Sequence, residues 1–180
     1  MVKKEMIRQV EIKYIRILLL ISCMIYFLST CIGFFAGPYL QLNPIALSLS
    51  TNPYTYIIHN FKSMVFFISG LFTMGISTMY VLFMNGFVLG ASLYRIGTAS
   101  TFFSAFIRII PHGIFEIPAM ILGGVIGLYS IQVFVRFLKG GKLLEIKDFK
   151  LVPKLLSLVV ILLICAGIVE AYITPYFIKQ

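Results

Sequence analysis

Thirty-two consecutive residues, Ser63 to Tyr94, carry no charge, and no other feature limits the fold so strongly. A run of that length is too long for one upright bilayer span and barely long enough for two short ones. Further apolar runs flank it: Ile17 to Gly37, about one full span; the stretch that follows Arg108; and Leu155 to about Phe177. Spanning helices require long uncharged runs of this kind, whereas a transmembrane barrel shows shorter alternating segments. The composition agrees, with 60% apolar and 12% charged residues in 180. The expected fold is all-α: a polytopic membrane helical bundle of about five transmembrane helices, some short or broken. It forms one transmembrane domain over residues 1–180, with spans at approximately 17–37, 63–79, 80–97, 112–135 and 155–177. No room is left for a soluble catalytic domain, so any chemistry belongs to the bundle or to a partner.

Local signals set the expected breaks. Gly70, Gly75, Ser77 and Thr78 mark where the uncharged run can turn, and Asn85-Gly86 is a turn dipeptide inside apolar sequence. The third helix is therefore expected to be interrupted or tilted, with irregular backbone buried in protein or lining a cavity. Pro38 to Lys62, with three prolines and one basic residue, reads as an outer loop. Pro111 suits the first turn of the central helix, and Pro153 is expected to open the last one.

The net charge of +9 reports topology rather than nucleic acid binding. Eleven of the fifteen Lys and Arg lie in Lys3 to Arg16 and in Arg136 to Lys154, which flank apolar runs. Both segments are expected at the cytoplasmic face of the cell membrane, with the N-terminus inside and the C-terminus outside. Ile17 to Gly37 is longer than a signal-peptide core and reads as a retained first helix. Cys23, Cys31 and Cys165 fall inside predicted spans as small apolar residues, without the spacing of a disulfide or zinc framework.

The candidate site lies in Arg108 to Leu128, RIIPHGIFEIPAMILGGVIGL. His112 and Glu116 stand four apart on one helix face, which continues as Ala119, Gly123 and Gly127 and allows a neighbouring helix to approach. Pro118 gives no N–H to the carbonyl of Ile114, leaving an acceptor expected beside the same two side chains. Glu170, next to Ala166, Gly167 and Ala171, lies near the end of the last helix. If that helix packs antiparallel to the central one, His112, Glu116 and Glu170 meet in the outer half of the membrane. One imidazole and two carboxylates form a catalytic or metal-ligating set that could hold zinc or a comparable divalent ion with an open position for water. A second reading uses the same residues for a satisfied ion-pair network, with Arg108 or Arg95 pairing Glu116 and with Asn85 and Pro118 as polar support. No HExxH motif is present, and Ser100, Thr101 and Ser104 have no ordered base in sequence.

Three motifs, NGFVLG at Asn85 to Gly90, PHGIFEIPA at Pro111 to Ala119 and VEAYITP at Val169 to Pro175, occur here in order on a chain of this size. Together they resemble the stage II sporulation protein M family of membrane proteins. The resemblance implies one of two roles. Sporulation members act with cell-wall lytic partners, as envelope-remodelling scaffolds without chemistry of their own. Shorter relatives accompany ABC-type ATPases in circular-bacteriocin maturation and export, and archaeal members exist as well. The sporulation branch is expected to replace the histidine and glutamate of the PHGxxE stretch, whereas His112 and Glu116 are intact here. The favoured expectation is therefore a peptide maturation and export component with an ABC-type ATPase partner and a peptide substrate, able to form homo-oligomers. An intramembrane metal-dependent peptidase or peptide-joining activity would fit the same site. The chain has no G-x4-GK[ST] loop of its own, so ATP hydrolysis falls to the partner.

Overall fold

The computed structural model describes residues 2–40, 52–141 and 146–173, and every regular element among them is helical. In chain order these are α1 (Val2–Ala36), a short 3-10 turn (Gly37–Tyr39), α2 (Pro53–Ser69), α3 (Ile76–Ala99), α4 (Phe102–Leu138) and α5 (Ile146–Tyr172). Among the described residues four stretches are long and apolar enough to cross a membrane: Ile12–Tyr39, Ile76–Ala99, Gly113–Leu138 and Lys150–Tyr172. The chain is a membrane protein built as a helical bundle. Its second helix has 17 residues. At about 1.5 Å per residue it spans roughly 25 Å, short of a hydrocarbon core of about 30 Å.

Several boundaries differ from the sequence expectation. α2 starts inside the expected outer loop, because Asn52 caps it: its side chain accepts a hydrogen bond from the Tyr54 N–H at 3.0 Å, and Pro53 occupies the first turn. Residues 41–51 of that loop lie outside the described residues. The break between α2 and α3 falls at Gly70–Gly75, at glycines that the sequence marks as turning points, so that α2 ends at Ser69 and α3 begins at Ile76. There the Gly75 N–H donates to the Gly70 carbonyl at 2.8 Å, and Met74 and Gly75 adopt left-handed φ of 52° and 81°. α3 then runs unbroken through Asn85-Gly86. The Asn85 amide donates to the Val81 carbonyl of its own helix at 2.8 Å, so the dipeptide makes no turn.

The prolines also sit differently. α4 begins at Phe102, nine residues before Pro111, because the Thr101 hydroxyl accepts from the Ser104 N–H at 3.1 Å and caps the helix there. Pro111 and Pro118 are thus interior, as is Pro153 in α5. Neighbouring helices make interior prolines tolerable in membrane bundles.

Glycines decide which helices touch. α1 and α3 are pressed together along a seam: a methyl on Gly33 would overlap the Phe87 carbonyl, and one on Gly90 the Thr30 carbonyl. On Gly86 it would meet the Ser29 hydroxyl and the Tyr26 carbonyl. The small residues of α4 and α5 were expected to face each other, but most serve α2 and α3 instead. Gly123 receives the Phe67 ring of α2, Gly127 the Thr78 hydroxyl of α3, and Gly167 of α5 the Ile57 side chain of α2. Bulky side chains carried by α2 need those hollows, which leaves α4 and α5 to meet through Ala119, Ile126, Val159 and Leu163, around Met64. A second cluster joins Tyr26, Phe67, Val81, Leu82 and Met120 from four helices.

Candidate functional site

α4 carries His112 and Glu116 in one unbroken helix, four residues apart. Glu116 is half-buried and engaged by other groups; the side chains of His112 and Arg108 lie outside the described residues. Around Glu116 the helix face is closed, with Ala119, Met120 and Gly123 all buried. Pro118 lies on the other side. It is exposed and so is Ile114, at 59%. The carbonyl that Pro118 leaves without its N–H partner is that of Ile114, whose side chain stands about 200° around the helix from that of Glu116.

Glu170 occupies the last turn of α5, two residues before its end and not about 10 Å inside it, because the helix stops at Tyr172. It is half-buried and engaged. Ala119 and Leu163 share the cluster between α4 and α5. Seven residues back from Ala119 is His112, and seven on from Leu163 is Glu170, so both lie toward the same end of an antiparallel pair. Among the described residues no three His, Cys, Asp or Glu gather closely enough to hold a metal. His112, the expected nitrogen ligand, is not among the side chains described.

Arg95 is half-buried in the last turns of α3 and engaged by other groups. Asn85 spends its amide on the Val81 carbonyl within α3, one residue from the α1–α3 seam.

Two buried residues that the sequence did not single out bear on Glu116, one through its charge and one through its depth. Tyr26 of α1 is 4% exposed, and its phenol lies within electrostatic range of the Glu116 carboxylate. Asn60 of α2 is 1% exposed, and its Nδ2 has no hydrogen-bond partner among the described residues. The Phe67–Gly123 contact sets its depth: Asn60 precedes Phe67 by seven residues, and Glu116 precedes Gly123 by seven, on helices that run in the same direction. Asn60 is therefore level with Glu116 on the face of α2 turned to α4. An unpartnered buried amide costs about 1–3 kcal/mol, so a donor held there is an expensive feature for a purely structural helix. The only cue in sequence is a polar residue seven before an aromatic on a helix capped by Asn52-Pro53.

The Tyr26 phenol thus lies within range of the Glu116 charge, and the Asn60 amide, unpartnered among the described residues, lies level with the same carboxylate. Such a set can bind a group with acceptors and exchangeable protons, as a peptide bond has, and can move a proton at Glu116.

Residues 17–175 match the profile of the family described as Stage II sporulation protein M. Over 125 residues the chain is 34% identical to Uncharacterized protein MJ0793 of Methanocaldococcus jannaschii, covering 66% of this chain and 68% of that protein. Over 109 residues it is 38% identical to Uncharacterized protein MJ0706 of the same organism, covering 57% of this chain and 48% of that protein, about half its length. No solved structure matches.

Proposed function

Because this chain belongs to the stage II sporulation protein M family, we propose that it is the membrane component of a peptide maturation and export system, working with a separate ABC-type ATPase. The observation that carries this reading is the buried amide of Asn60, which has no hydrogen-bond partner among the described residues and which the Phe67–Gly123 contact puts level with Glu116, whose charge also reaches the Tyr26 phenol. A lone structural ion pair does not call for a free donor beside it, whereas recognition of a peptide carbonyl does. In this reading Glu116 is the proton-moving group, Tyr26 and Asn60 hold the peptide, and His112 and Glu170 complete the site. Gathered on one divalent ion such as zinc, His112, Glu116 and Glu170 would supply an activated water. The N-terminus and the 136–154 segment face the cytoplasm, where the basic residues offer a docking surface to the ATPase.

A second reading is an envelope-remodelling scaffold of the sporulation type, in keeping with the name of the family, Stage II sporulation protein M. Purification from the host membrane separates the two. An ATPase that co-purifies in fixed ratio, together with loss of peptide processing in Glu116→Gln, supports export and maturation. Wall hydrolases in its place, with Glu116→Gln fully active, would overturn it.

A further inference from the structure

We propose that the peptide reaches Glu116 through a polar cleft between α2 and α3, an inference that rests on the peptide-processing function above. The cleft is open where α2 begins and closed at the hairpin tip, so the chain takes its substrate from one side and is not a conduit. At the tip both arms of the hairpin meet on one residue of α4. The Thr78 hydroxyl of α3 and the Phe67 carbonyl of α2 lie against Gly127, and Thr78 also fills the hollow at Gly70. Further up the arms take different partners. α2 is drawn onto α5, where Ile57 lies against Gly167, while α3 is drawn onto α1, with Phe87 against Gly33 and Gly90 against Thr30. The register of α4 records the parting. Met64 of α2 shares a cluster with Ala119, whereas Tyr26 of α1 and Val81 of α3 share one with Met120, against which Ile117 also packs. At 100° per residue Ala119 stands about 60° to one side of Glu116, and Met120 and Ile117 stand about 40° and 100° to the other. Glu116 therefore faces the gap.

Both walls of the gap are polar. On α2, Tyr56, Asn60 and Ser63 lie within about 40° of Phe67, the residue turned to α4. On α3, Asn85 and Ser92 follow Thr78 in steps of seven and lie within about 40° of it, on the side turned to α2 and α4. Asn60 is buried, with its Nδ2 unpartnered among the described residues, and the other four wall residues are half-buried. Away from the gap α3 is apolar, as the exposed Met84 and Val88 show. Polar groups at such depth are tolerated where they line a cavity or a substrate path. Amides and hydroxyls both donate and accept, which suits the alternating N–H and C=O groups of an extended peptide. Toward the tip, Phe67, Val81, Leu82 and Met120 plug the cleft, and Ser130 pins the turn by donating to the Gly70 carbonyl at 3.1 Å. In the orientation proposed above the open end is the outer one. Passage driven by ATP then belongs to the partner, and Glu116 acts on a peptide that arrives from outside.

The test labels single cysteines in the full chain, in a background without Cys23, Cys31 and Cys165. The probe is a membrane-impermeant methanethiosulfonate carrying a trimethylammonium group, added outside intact cells. Only a thiol in water ionises and reacts readily, so Ser63→Cys and Ser92→Cys should be modified about tenfold faster, or more, than Met84→Cys on the outward side of α3. Ile131→Cys, below the plug and beside Gly75, should be spared. Modified Ser92→Cys should lose peptide processing, and removal of the adduct with dithiothreitol should restore it. Rates at positions 63 and 92 no faster than at 84 would overturn the proposal. So would reaction of Ile131→Cys from outside, which means a through-channel, or reaction at 63 and 92 in inside-out vesicles alone. Processing that survives modification at position 92, while Glu116→Gln abolishes it, would overturn the route and leave the peptide function standing. A fully active Glu116→Gln would remove that function, and with it the proposed occupant of the cleft, whatever the labelling shows.

Discussion

The ring of Phe67 lies so close to Gly123 that a methyl on the glycine would come within 2.5 Å of its Cδ2. This one approach locks α2 to α4 in register. It brings Asn60 level with Glu116, and with it the polar site acquires a member from the shortest helix of the bundle. The site thus depends on glycines two turns away from its polar atoms.

The glycine seams give a first prediction. Gly90→Ala forces a methyl into the Thr30 carbonyl, backbone against backbone, and nothing flexible can yield. It should cost about 1–3 kcal/mol or more, read as a lower unfolding midpoint in detergent. Gly113→Ala meets only the end of the Ile117 side chain, at 3.3 Å, and should be neutral or mildly stabilising. Equal effects in the two variants would dissolve the seam as an organising contact.

Asn60→Leu separates function from stability. Removing a buried donor that has no partner among the described residues should raise stability by on the order of 1 kcal/mol, while peptide processing or binding falls. A variant that is both less stable and fully active would assign the amide to the fold alone.

Glu116→Gln keeps the size of the side chain and removes its charge. If Glu116 moves a proton, activity is lost and the protein stays folded. A structural ion pair broken in the same way costs about 3–5 kcal/mol, and folded protein is lost together with activity. A double-mutant cycle with Tyr26→Phe, read by unfolding in detergent, should give a coupling energy of about 0.5–3 kcal/mol. Strict additivity would remove Tyr26 from the site.

Orientation is tested by labelling single cysteines from outside intact cells, in a background without Cys23, Cys31 and Cys165. A cysteine at position 45 should react and one at position 142 should not. Reaction at 142 would invert the topology.

Much of the fold is written in charge-free length: the helices and the turn at Gly70 and Gly75 are visible in sequence because glycines punctuate an otherwise uninterrupted apolar run. Helix starts are harder to see. Thr101 and Asn52-Pro53 are ordinary cap signals, yet Pro111 and Lys62 look like stronger boundaries. They are not, because a bundle can absorb an interior proline and α2 can carry a lysine on its open face. Of the site, His112, Glu116 and Glu170 are legible as ionisable groups in apolar sequence. Tyr26 and Asn60 are not, since their relevance depends on which helices touch and at what register.

The hairpin between α2 and α3 bears on how the protein is made. Six residues, 70–75, separate the two helices, and Ser130 of α4 donates to the Gly70 carbonyl at 3.1 Å, pinning the tip. A 17-residue helix with a lysine at its middle makes a poor substrate for insertion by itself. Joined to α3 through so tight a turn, it can cross only as half of a pair, and the pair is completed when α4 arrives to accept Phe67 and clasp the tip. During synthesis, then, the segment that supplies Asn60 waits for residues more than fifty positions downstream. Truncation after α3 would strand α2 in an unfinished assembly, with Phe67 left without the Gly123 hollow of α4 that receives it.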